Sequence, residues 1–261
     1  MKLKDKVALI TGAGGSIGKA IALGFAKEGA HVAVNDVNRD NASSVVAEIK
    51  ASGQESEVYI ADVSGYESVV TMTDMIVDRF GGIDILVNNA GVISSASFLE
   101  LSVSEFKRIM DINVNGVFYV SQAVARIMAT RGKGGAILNI SSLNAWQPFF
   151  DTVHYNASKA SVSMLTQSMA LELAAHGIRV NEICPASTET AMNREALQDP
   201  ENRKAREKAI PLGRMGQPQD LVGAVIFLCS DDASWITGAS LATNGGLSLV
   251  PPFGPQKYGA P

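Results

Sequence analysis

The sequence predicts an α/β fold, a parallel sheet covered by helices on both faces. Short apolar runs rich in valine and isoleucine alternate with longer segments of helical spacing along most of the chain. The runs are apolar throughout instead of alternating with polar residues, which is how strands buried on both faces read. The first run ends in a glycine-rich turn that opens straight into a helix, the arrangement of a dinucleotide-binding βαβ unit.

Taken in order, "KVALIT" (6–11) is a strand and is followed by a helix near 17–28. "HVAVND" (31–36) precedes a helix near 39–51, and "EVYIADV" (57–63) one near 66–80. "IDILVNNAG" (83–91) opens the next unit, with two helical patterns near 103–112 and 114–131 leading to "GAILNISS" (135–142). A helix carrying Tyr155 and Lys159 then runs to about His176, before "IRVNEICPA" (178–186). A last helix near 218–230 precedes "SLATNGG" (240–246). Right-handed crossovers between such strands give a doubly wound, Rossmann-type sheet. No repeat or composition break marks a linker, so residues 1–249 read as one dinucleotide-binding and catalytic domain. The polar, charge-rich segment 187–212 interrupts the rhythm and is expected to be a substrate lid. The tail 250–261 is proline-rich, which rules out a helix or central strand there.

Composition narrows the function. Of 261 residues, 46% are hydrophobic and 18% charged, enough for a large buried core. Net charge is −4 with the basic residues scattered, which argues against a nucleic-acid partner. The two cysteines, Cys184 and Cys229, have no metal-ligand spacing, and the three histidines do not cluster, so no metal site is expected. The chain carries no signal-peptide core and no apolar run of roughly 18 residues. It reads as a soluble cytoplasmic protein with a small-molecule substrate and no membrane partner.

In "TGAGGSIGKA" (11–20), Gly12 and Gly18 are placed as the turn and helix-packing glycines, with Gly14 and Gly15 loosening the loop. Such a turn lets a pyrophosphate approach the N–H groups and dipole of the helix start. Ile17 stands where the third glycine of G-x-G-x-x-G belongs. Gly12, Ser16, Ile17 and Gly18 are therefore candidate cofactor contacts. Eighteen residues beyond Gly18, Asp36 ends the second strand. A carboxylate there accepts hydrogen bonds from adenosine ribose hydroxyls and repels a 2′-phosphate, which points to NAD; nearby Arg39 leaves room for NADP.

Tyr155 and Lys159 lie four apart on one helix and so share a face. A lysine ammonium beside a phenol favours the phenolate, which would let Tyr155 exchange protons near neutral pH.

"TGAGGSIG", "NNAG" (88–91), "INVNG" (112–116), "NISS" (139–142), "YNASK" (155–159) and "IRVNEICPA" follow one another over nearly the whole chain. In that order they resemble the short-chain dehydrogenase/reductase family. The resemblance implies a sheet of about seven strands and a catalytic tetrad of Asn113, Ser142, Tyr155 and Lys159. It also implies Asp62 and Val63 at the adenine end, Asn89 and Gly91 near the ribose, and Thr188 and Thr190 at the nicotinamide carboxamide, with Tyr155 and Lys159 also touching the cofactor. Lys159 would lower the Tyr155 pKa and hold the nicotinamide ribose, Ser142 would hydrogen-bond the substrate oxygen, and Asn113 would hold a water linking Lys159 to solvent. Three positions depart from the family pattern: Ser16 and Ala186 stand where glycine is usual, and Asn244 where aspartate is common.

The stretch between Ser142 and Tyr155 mixes aromatic and polar groups. Ser142, Asn144, Trp146, His154 and Tyr155 are the candidate substrate contacts, and the mixture suits a sugar or polyol. The expected activity is NAD-dependent interconversion of a secondary alcohol and its carbonyl. A 3-oxoacyl thioester reductase is the alternative, and a non-catalytic NAD sensor a more distant one. The resemblance further implies a homo-oligomer, a dimer or tetramer, built on the helices near 114–131 and 156–176.

Overall fold

The computed structural model describes residues 1–190 and 197–250. The strands are β1 (Val7–Ile10), β2 (His31–Asp36), β3 (Ser56–Ile60), β4 (Ile85–Asn88), β5 (Gly135–Ile140), β6 (Ile178–Pro185) and β7 (Ser240–Thr243). They form one seven-stranded sheet in the order β3-β2-β1-β4-β5-β6-β7, parallel at every pairing. The helices are α1 (Ser16–Lys27), α2 (Arg39–Ala51), α3 (Tyr66–Phe80), α4 (Val103–Met110), α5 (Gly116–Arg131), α6 (Val153–Leu173), α7 (Pro200–Ala209) and α8 (Pro218–Cys229).

The continuous apolar runs have the expected cause. In β1, Ala8 and Ile10 join the core under α1, α2 and α8, while Val7 and Leu9 join the core on the opposite face with α3, α5 and α6. Every residue of β1 is buried, because alternate side chains meet a different helical layer. The strand order reverses between β1 and β4, so the loops leaving their carboxyl ends diverge and open a cleft there. Most strands stop short of the apolar runs that predicted them, because the last residues of each run turn into that cleft.

One connection differs from the expected plan. The helices near 103–112 and 114–131 are joined without a break by a π-helical turn, Asp111–Asn115. Such turns bulge the backbone and recur at functional sites, and this one carries the buried Asn113. In the segment 187–212, α7 is capped by the Asp199 carboxylate accepting from the Glu201 N–H, and Arg203 pairs with Glu189 and Glu207. Residues 191–196 of that expected lid and 251–261 of the expected tail lie outside the described residues. Among the described residues, no helix is long and apolar enough to cross a membrane.

Candidate active site

The glycine turn sits at the sheet's switch point. Gly12 takes φ +61°, and a Cβ there would lie 2.9 Å from Ala90 Cα. A Cβ on Gly18 would lie 2.4 Å from the Gly12 carbonyl oxygen and 2.6 Å from Asn89 Nδ2. The Asn89 amide donates to the Thr11 and Gly12 carbonyls at 3.0 Å each, and Thr11 Oγ1 accepts from the Asn89 and Ala90 N–H groups. Asn89 thus works as a brace that ties the β4 loop to the turn. Gly15 is the N-cap of α1, and no side chain closes that cap. The bare helix start suits a phosphate. Gly18→Ala is expected to weaken dinucleotide binding by about tenfold or more, with an overpacking cost of about 1–3 kcal/mol. Calorimetric titration together with thermal melting would check this, and unchanged affinity would count against the turn as the cofactor cradle.

Asp36 ends β2 with both oxygens anchored: Oδ2 accepts from the Gly14 N–H and Oδ1 from the Asn38 N–H, each at 2.9 Å. A carboxylate has lone pairs for more than two donors, so acceptor capacity remains. A Cβ on Gly14 would come within 2.9 Å of Asp36 Oδ2, so glycine there lets the turn lie against the carboxylate. After β3, Asp62 Oδ1 accepts from Ser64 N and Oγ. Val63 is buried in the core and lies against Gly116, whose added Cβ would be 2.8 Å from Val63 Cγ2. After β6, the buried Thr188 bridges to Gly216, and Thr190 follows two residues on. Ala186 does not take a positive φ, so its methyl group adds no backbone strain.

The tetrad residues converge. Asn113 donates through Nδ2 to the Val92 carbonyl at 2.9 Å and to Ser158 Oγ at 3.1 Å, and accepts from the Val92 N–H. It therefore locks the β4 loop to α6. A Cβ on Gly91 would meet Asn113 Oδ1 at 3.3 Å and Lys159 Nζ at 3.8 Å. Lys159 is buried, donates to the Ile140 carbonyl at 2.8 Å, and sits 5.6 Å from the centroid of the Tyr155 ring. Burial lowers its pKa from 10.5 to about 8.

Tyr155 differs from expectation. Burial raises its pKa, and the opposing influence is a hydrogen bond with Ser142. Lys159 lies over the ring, and the raising by burial outweighs the lowering by Ser142. The sequence shows that the two share a helix face, but not which atom of the tyrosine the ammonium approaches.

Among the substrate candidates, Ser142 Oγ donates to Asn144 Oδ1 at 3.1 Å, and Asn144 Nδ2 donates to Asn156 Oδ1 at 2.7 Å. Trp146 is exposed and borders a cleft of about 360 Å³ with Leu143, Gln147, Ser248 and Val250. His154 is a correction. It is fully buried, and its Nε2 is 2.8 Å from Ser94 Oγ, which in turn donates to Glu105. Next to Tyr155 in the helix and rotated about 100° from it, His154 reaches the loop after β4 at Ser94 and, through it, Glu105 of α4. A larger cavity, about 520 Å³, lies at the amino ends of β4, β5 and β6, on the edge of the sheet opposite the tetrad. Sequence reasoning missed the bracing roles of Thr11 and Ser158, because a serine or threonine in a helix or turn gives no sign of a long-range partner.

A family model described as enoyl-(acyl carrier protein) reductase matches residues 12–248. The chain belongs to the short-chain dehydrogenase/reductase family. This dehydrogenase/reductase is 39% identical over 246 residues to an L-rhamnose 1-dehydrogenase (NAD(P)(+)) of Sphingomonas sp. strain SKA58, covering 94% of this chain and 97% of the relative. It is 38% identical to a 3-oxoacyl-[acyl-carrier-protein] reductase of Thermotoga maritima, covering 95% and 100%. A gluconate 5-dehydrogenase from Burkholderia cenocepacia J2315, solved with NADP and tartrate, superposes with a TM-score of 0.92 at 36% identity, covering 96% and 98%. The chain is an oxidoreductase of this family, using a nicotinamide dinucleotide and acting on a CH–OH group or its carbonyl.

Proposed function

We propose that this dehydrogenase/reductase oxidises a secondary hydroxyl of a sugar or polyol, with NAD as its preferred cofactor and Asn113, Ser142, Tyr155 and Lys159 as its working residues. The observation that carries the reading is the buried Lys159 ammonium held over the Tyr155 ring, with Asn113 locking the loop and helix around it. The residues present fit a dinucleotide, since the turn at Gly12 and Gly18 leaves no room for side chains and Asp36 is anchored beside Gly14. A bound nicotinamide would supply the hydride acceptor. Ser142 Oγ positions the substrate hydroxyl, and Tyr155 Oη removes its proton. Lys159 supplies positive charge next to the phenol as the proton moves, and Asn113 fixes the loop and helix that hold Lys159 in place. Asp62, Val63, Asn89, Gly91, Thr188 and Thr190 are assigned to the remaining cofactor contacts, with Ser16 and Ile17 at the helix start.

The rhamnose and gluconate relatives support a sugar-like substrate, as does the exposed Trp146 beside polar Asn144 and Gln147. Assaying L-rhamnose, other aldoses, polyols and aldonates with NAD⁺ and NADP⁺ by nicotinamide absorbance tests the reading. Turnover confined to reduction of 3-oxoacyl thioesters would replace it with the reading that the Thermotoga maritima relative favours. Cofactor binding without any turnover would point to a sensor. The segment 187–212 is assigned as the substrate lid, and the chain as a cytoplasmic homo-oligomer, with exposed Phe118 on α5 and Met164 and Leu171 on α6 as the apolar contacts.

Cofactor choice gives a direct test of Asp36. Hydrogen bonds to a charged group contribute about 1.5–3 kcal/mol each, and a tenfold preference needs about 1.4 kcal/mol. NAD⁺ is therefore expected to be favoured over NADP⁺ by about tenfold or more in kcat/KM. Asp36→Ser combined with Val37→Arg is expected to erase or invert the preference, since Val37 is exposed and an arginine there can pair with a 2′-phosphate. Equal wild-type efficiency with the two cofactors would refute the assignment.

A further inference from the structure

The first turn of α6 carries Tyr155 yet is weakly secured by its own residues. The backbone enters it through Asp151 at φ +58°, a left-handed conformation that is costly for an L side chain. Thr152 stands at the N-cap, and no side chain closes that cap, so the turn lacks the usual device against fraying. Its support comes from elsewhere. The Ala96 N–H, in the loop after β4, donates to the Asp151 carbonyl at 2.8 Å. Two residues earlier in that loop, Ser94 Oγ lies 2.8 Å from Nε2 of the fully buried His154 and donates to Glu105 of α4.

We propose that Glu105, Ser94 and His154 are positioning residues that clamp the start of α6 to the loop after β4 and so set where the Tyr155 hydroxyl meets the substrate. Counting hydrogens orients the row. Arg108 donates to both Glu105 oxygens, at 2.8 and 2.7 Å, and with Ser94 holds that carboxyl down at about 2, so Glu105 only accepts at neutral pH. The single Ser94 hydroxyl hydrogen goes to Glu105, which leaves His154 Nε2 as the donor to Ser94 Oγ. The anchor is itself fixed. The Glu105 N–H donates to the Ser102 cap of α4 at 3.1 Å, and Asn113 holds Val92, two residues before Ser94, through both its N–H and its carbonyl. Tyr155 follows His154 directly, so a shift of this turn moves the phenol, and a small displacement of a reacting group costs a large factor in rate.

This role rests on Tyr155 serving the reaction proposed above, so backbone exchange is read beside the rate. In the full chain, Ser94→Ala is expected to speed hydrogen exchange of the amides of residues 156–159 by about tenfold, as suits the loss of hydrogen bonds in a row that ends on a charged group. The single-turnover rate, measured with the nicotinamide cofactor and the compound turned over fastest in the assay above, should fall by about 10–100-fold. Its solvent deuterium isotope effect should grow, because the proton step is the one that slows, while dinucleotide affinity stays the same. His154→Phe gives the same reading if the alanine variant does not fold. Ser94→Thr, which keeps the hydroxyl, and His154→Gln, which keeps a donor nitrogen, should stay close to wild type. An unchanged single-turnover rate in the folded Ser94→Ala or His154→Phe variant would overturn the proposal, as would a loss that neither conservative variant avoids. Faster exchange at residues 156–159 in Ser94→Ala together with normal turnover in Tyr155→Phe would sink the reaction assignment and leave the clamp standing.

Discussion

Tyr155→Phe is expected to bind the dinucleotide as the wild type does and to lose turnover by about 10²–10⁴-fold, the usual share of general acid–base catalysis. The substitution removes one hydroxyl and leaves the ring, so the 5.6 Å placement of Lys159 over it is kept. What disappears is the proton acceptor that shares a hydrogen bond with Ser142. In the oxidation direction Tyr155 must be deprotonated, and burial raises its pKa. The wild-type oxidation rate is therefore expected to climb with pH, and the reduction rate, which needs the phenol, to fall. Steady-state rates and cofactor titrations on the same preparation check both statements. Near-normal turnover in the variant would remove Tyr155 from the mechanism.

Lys159→Met is expected to cost about 10²–10³-fold in rate, the range seen when one preorganised electrostatic group is removed from an active site. Cofactor affinity should fall as well, which separates this variant from Tyr155→Phe. Below pH of about 8 the wild-type lysine carries its charge, and it loses it as pH rises through that value. The methionine variant has no charge to lose, so its residual oxidation rate should go on rising where the wild type levels off. The hydrogen bond to the Ile140 carbonyl also goes, so a melting curve belongs beside the kinetics. A variant whose pH–rate profile overlays the wild type would show that the ammonium does not act on Tyr155.

Much of the architecture was legible because burial on both faces leaves a strong imprint. β2 (His31–Asp36) and α2 (Arg39–Ala51) fall where the apolar run and helical spacing put them. Strand ends such as those of β4 and β7 were overestimated, because the expected runs were carried on into Asn89–Gly91 and Asn244–Gly246, asparagine- and glycine-containing segments that leave the sheet. The π-turn at Asp111–Asn115 was not legible either. It holds Asn113 against Val92 and Ser158, partners 21 and 45 residues away that local spacing does not reveal.

The sequence by itself determined the order of strands and helices, the glycine turn and the positions of Asn113, Ser142, Tyr155 and Lys159, because these depend on local spacing and residue type. Tertiary structure alone decided what surrounds each group. It turned His154 away toward Ser94, put Lys159 over the Tyr155 ring and brought Glu182 to Ser163 and Ser240. Ionisation and reach depend on burial and on atoms far away along the chain, and those distances exist only once the sheet and its helices have packed together.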